Sequence, residues 1–182
     1  MTTISKRVFY LFFLILIPFN GRSQIRIDGY YTGMRVDSLP ELAGNSVVID
    51  IDSSARLKMF TFSDTYSSSI DVFFFDSVAY EIVFSDPEKV LIDGVKSKYG
   101  KGDQNKKKKK NIDGSYNEDE VTAWKVGGVV ALYSDHIWRY PTFGYLSKLD
   151  ISDLSIKIKA ERYEKLIKNE KYNSDLNQVI RR

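Results

Sequence analysis

The sequence predicts a mainly β protein, an antiparallel β-sandwich or small β-barrel of seven to nine strands with one C-terminal α-helix. Three observations carry this. Short segments of alternating apolar and polar residues recur from Gly29 to Tyr140. Turn chemistry such as Asp-Gly, Asp-Pro and Gly-Gly separates them. A helical period sets in only after Ala160.

The chain opens with Lys6 and Arg7, then an unbroken apolar run from Val8 to Ile17 that Pro18 ends, with small residues at Gly21 and Ser23. That order is a secretory signal peptide over residues 1–23, with cleavage expected after Ser23. A spanning helix needs about 20 apolar residues, so the run is short for one. The chain is therefore expected to be exported to the periplasm or the cell exterior, touching a membrane through this segment before cleavage. The alternative is an uncleaved segment that anchors the domain outside the membrane. Residues 24–182 form the single β-rich domain.

Within that domain Gly29–Val36 opens with paired tyrosines, and Val47, Ile49 and Ile51 alternate with Val48, Asp50 and Asp52. Ser53-Ser54-Ala55 turns into Leu57–Phe62, where Phe60 and Phe62 share a face. Ile70–Phe75 and Val78–Phe84 flank Asp76-Ser77, the length of a tight hairpin connection. Lys89–Ile92 reads as a short strand ending at Asp93-Gly94. Val121–Tyr133 reads as one bent strand or two short ones around Gly127-Gly128. Ile137–Tyr140 is a further strand, stopped by Pro141. Leu154, Ile156 and Ile158 alternate with Ser155, Lys157 and Lys159 as in an amphipathic strand. Tyr163, Leu166 and Ile167 then fall at helical spacing within Ala160–Lys171.

Charge and composition exclude several function classes. The chain has no cysteine, so lipid attachment at a cysteine, thiol nucleophiles, thiolate metal sites and thiol redox chemistry are out. Lys6, Arg7 and Arg22 account for the whole formal charge of +3, which leaves the mature chain neutral. Its cations are concentrated between Gly94 and Asn117, where eight lysines face two aspartates. Neither a cofactor nor nucleic acid is expected as a partner.

Lys106, Lys107, Lys108, Lys109 and Lys110 are the loudest local signal. Such a run binds anions through many weak contacts, or else forms a solvated, disordered loop, here residues 94–118. Just beyond it, Asn111, Asp113, Gly114 and Glu120 fit part of a calcium-loop pattern, but its first position is Lys109, a cation in place of a carboxylate. No metal is expected. His136 is the sole histidine, too few for a histidine-built zinc site. Its neighbours Ser134 and Asp135 alternate around it on an extended chain, so Ser-Asp-His is no ready triad. Asp50 and Asp52 share one strand face, as an outward polar face requires.

The segment from Tyr133 to Tyr145 gathers Tyr133, His136, Trp138, Arg139, Tyr140, Phe143 and Tyr145 around Pro141 and Gly144. Aromatic residues in an irregular segment either cap the core or line a ligand surface. No catalytic constellation stands out. The expected function is a non-enzymatic binding or interaction module at the envelope or outside the cell, meeting an envelope component or another secreted protein. The alternatives are a hydrolase of envelope polymers using Asp50, Asp52 or His136, and a small outer-membrane β-barrel.

Overall fold

The computed structural model describes residues 24–39, 47–50, 56–63, 65–138 and 144–180. Residues 1–23 lie outside them, as do Asp52, Arg139, Tyr140 and Phe143. The protein is mainly β, with antiparallel sheets and a C-terminal helix, as the alternation predicts. A two-stranded sheet pairs β1 (Arg26–Ile27) with β2 (Tyr30–Tyr31). The large sheet comprises β3 (Val47–Asp50), β4 (Leu57–Phe62), β5 (Ser69–Phe75), β6 (Val78–Ser85), β7 (Asp103–Lys110), β8 (Tyr116–Val126), β9 (Val129–Trp138) and β10 (Gly144–Asp153). Helix α1 (Lys89–Tyr99) follows β6, and helix α2 (Leu154–Ile180) follows β10.

The order across the large sheet is β3-β4-β5-β6-β10-β9-β8-β7, two meanders joined through their last strands. Among the described residues β3 and β7 stand at opposite ends unpaired with one another, so the sheet is open and the barrel alternative is corrected. The arrangement is sandwich-like: the small sheet and α1 cover one face, here the inner face. Ile25, Ile27, Tyr30 and Met34 pack there with Leu91, Ile92 and Val95 of α1 against Ile70, Phe74, Phe84, Trp124 and Leu149. Where β10 stops pairing at Glu81, Gly33–Val36 continues the ladder, with Gly33 N donating to Ala79 O (2.7 Å) and Ala79 N to Met34 O (2.9 Å).

The outer face is covered over one half. Ala160, Ile156 and Tyr163 of α2 pack on Leu57, Phe73, Phe75 and Tyr80. Lys157 Nζ donates to Glu81 Oε1 at 2.7 Å. Burial, then a hydrogen bond with Asp150, raises the Glu81 carboxyl above its ordinary value despite that lysine. Burial likewise pushes the Tyr80 hydroxyl up to about 12.

Three expectations are corrected, and around Gly127-Gly128 the two-strand reading holds, with longer strands than expected. Lys89–Ile92 is not a strand but the first turns of α1, whose buried Leu91, Ile92 and Val95 share a helical stripe. Gly94 sits inside that helix, and the stop is Gly100, at φ +84°. Leu154–Lys159 also belongs to a helix. Asp153 Oδ1 accepts from Ser155 N (2.9 Å) and Ile156 N (3.2 Å), an N-cap that overrides the period of two. Gly127-Gly128 joins two long strands, with Gly127 at φ +62°. Finally, the basic stretch expected as a disordered loop is the end of α1 followed by β7, paired residue for residue with β8.

Candidate functional site

Alternation along β9 divides the residues singled out in the sequence. Tyr133 and Asp135 face inward with Tyr145 of β10, whereas Ser134 and His136 face outward. Tyr133 and Tyr145 bring their hydroxyls to 3.5 Å. Trp138 pairs through its backbone with Gly144. The expected aromatic cluster is thus joined on the inner face by two of its tyrosines, and His136 is removed from it.

These tyrosines line a cleft of about 320 Å³ between α1 and the far end of β8–β10. Lys89, Asp93 and Lys96 project from the helix side, a spacing that puts them on one helical stripe, and Glu120, Thr122 and Asp135 line the sheet side. Glu120 is compensated, because Lys106 Nζ lies 2.7 Å from its Oε2. Asp135 is not: its Oδ1 is buried and meets no hydrogen-bond partner among the described residues. Burial raises the Asp135 carboxyl above its ordinary value, and the Glu120 charge adds to this, while the Tyr145 and Tyr133 hydroxyls pull it down. Burial, then the Tyr145 hydroxyl, raises Tyr133 as well. A buried Oδ1 without a hydrogen-bond partner costs free energy, which the tyrosine hydroxyls near the carboxylate offset in part and a ligand hydroxyl or amine would recover. Two tyrosines beside it offer ring faces and further hydrogen bonds.

On the outer face His136 Nδ1 meets Asp119 Oδ1, its cross-strand partner. The pairing orients the ring as a carboxylate orients a general-base histidine. Ser134, on the same face, turns its hydroxyl to Lys148 O (3.5 Å). Asp50 of β3 is placed opposite Lys58 of β4, and its companion Asp52 lies outside the described residues. The partial calcium pattern falls on the β7–β8 hairpin: Asn111 N donates to Ser115 O (2.8 Å), and Asp113 Oδ1 accepts from Ser115 N (3.0 Å) and Oγ (2.7 Å). These bonds hold the Asp113 carboxyl below its ordinary value.

The five lysines lie in one strand whose side chains are all exposed. Lys106 and Lys108 stand on the inner face with Glu120 and Glu118, at 2.7 and 2.8 Å. Lys107 stands on the other face, opposite Asp119.

Sequence reasoning misses Asp135 as a cleft residue, because in the sequence it stands out only as a neighbour of His136. The period of two from Tyr133 already put the two on one face. It also missed an apolar groove of about 320 Å³ on the opposite flank of α1, lined by Ile27, Tyr66, Val90, Leu91, Val95 and Tyr99. That flank exists because Lys89–Tyr99 is helical, which a strand reading conceals. No protein-family model, no curated protein and no solved structure matches this chain.

Proposed function

We propose that this chain is an exported, non-enzymatic binding module whose ligand site is the cleft around Asp135, Tyr133 and Tyr145. The ligand is small and polyhydroxylated, with hydrogen-bond donors for Asp135 and an apolar ring face for the tyrosines. The observation that carries this is the buried, unpartnered Oδ1 of Asp135 in a cleft large enough for a sugar ring. The lysines of α1 on the opposite wall supply donors to ligand oxygens. Export rests on the charged, apolar and small-residue order of residues 1–23.

The test is a melting-temperature screen against mono- and disaccharides, with Asp135→Asn alongside. A true ligand at about 100 times its Kd stabilises the fold by about 2.7 kcal/mol, and the variant loses most of that shift. A flat screen, or equal shifts in both proteins, would sink the assignment of the cleft. N-terminal sequencing of the exported protein should begin at Gln24.

A further inference from the structure

The lysine strand has one edge zipped to β8 and one edge that, among the described residues, pairs with nothing. We propose that this open edge of β7 docks an acidic, extended segment of a partner protein, which adds to the sheet as a further strand. An antiparallel strand sends the polar backbone groups of alternate residues to either side, so about half of β7 directs N–H and C=O groups outward. Such an edge takes up peptides through main-chain hydrogen bonds, and the side chains select which peptide.

The selection here is by charge. Lys106 and Lys108 are compensated by Glu120 and Glu118. Among the described residues Lys107, Lys109 and Lys110 form no ion pair, and the Asp119 carboxylate opposite Lys107 is held by His136. Three cations on two faces of the edge strand are therefore left for an incoming chain. The neighbour on the closed side shows the matching chemistry, since Glu118-Asp119-Glu120 of β8 lies directly across from Lys106–Lys108. A second copy of this chain is a poor occupant. Antiparallel pairing of two β7 strands would set lysine against lysine, and like charges directly opposite are destabilising. Lysine-rich edges commonly prevent self-association for this reason, while leaving an acidic strand free to add.

The test uses the full chain and a fluorescein-labelled octapeptide of alternating glutamate and valine. A control peptide of equal charge carries two prolines, which cannot complete a ladder. Fluorescence anisotropy measures affinity, and hydrogen exchange of the β7 amides reports strand addition. The expected result is binding that slows exchange in β7, weakened about tenfold or more by the prolines. The double variant Lys107→Glu, Lys109→Glu should weaken it by about tenfold or more, with its melt confirming that it folds. Equal binding of the proline peptide, or binding without added protection in β7, would show diffuse attraction to a polyanion and overturn the proposal. Absence of binding would overturn it too.

Discussion

On β4, β5 and β6 the large sheet buries side chains on both faces: Phe62, Ile70, Val72, Phe74 and Phe84 inward, and Leu57, Phe75 and Tyr80 outward under α2. On β8 and β9 the inward row of Trp124, Val129 and Ala131 is buried, but the outward row is not, and Val121 and Leu132 are 36% and 41% exposed. The first half is held by apolar burial, which salt does not screen. The second adds ion pairs at half-exposed positions, worth little each and screened by salt. A two-faced core therefore carries the stability and leaves the other half's surfaces available for binding.

The largest effect expected from this contrast comes from cutting the core in the first half. Phe74 is fully buried and meets Phe60 edge-on, with ring centroids 5.4 Å apart. Phe74→Ala should cost about 3–5 kcal/mol in urea unfolding. Leu132→Ala, on the open outer face, should cost within about 0.5 kcal/mol. Comparable losses from both substitutions would show that something covers the outer face of β8–β9, and the comparison would break.

The second half raises a question of register that charge alone does not answer. Five consecutive lysines against three consecutive acids pair almost as well after a one-residue slip, yet a slip would turn every inward side chain outward. The register is pinned at the strand ends. At the hairpin end Asn111 Nδ2 donates to Ser115 Oγ (2.9 Å) and Asn117 Oδ1 (3.0 Å). At the other end Trp124 Nε1 donates to Gly100 O (2.8 Å), tying the end of α1 to β8. Gly102 lies between these contacts at φ +71°, and a Cβ there would stand 2.8 Å from Ala123 O, Thr122 Cγ2 and Trp124 Nε1. Gly102→Ala should thus cost about 1–3 kcal/mol, with faster exchange in β7 and little change in β4–β6. Uniform weakening across the sheet would mean that the two halves unfold as one unit.

This also explains what was legible in the sequence. The strands of the first half are legible because their alternation answers to burial, and Asp76-Ser77 forms the tight turn, both residues at positive φ (51° and 64°). The lysine strand looks like a loop in the sequence because its partner is chosen by charge twelve or so residues away, which a local apolar period does not register. The start of α2 resembles a strand in the sequence because Leu154, Ile156 and Ile158 alternate. The decisive residue was Asp153, whose carboxylate caps the helix. As for the site, its tyrosines were visible as aromatic residues, but Asp135 gains meaning only when α1 closes over it.

The smallest expected effect concerns that carboxylate and sharpens the comparison at a place where the second half buries a carboxylate oxygen. A carboxyl raised in the folded state binds its proton more tightly there than in the unfolded chain. Folding is then most favoured when it is protonated, and stability declines as pH rises from the ordinary aspartate value through the raised one. Asp135→Asn removes the group that titrates while keeping its shape. The variant should match the native chain near pH ~4 and melt slightly higher near pH ~7, with a flatter profile between them. Superimposable melting profiles would mean that water reaches Oδ1 freely, and the cleft would lose the unmet hydrogen bond on which the proposed ligand depends.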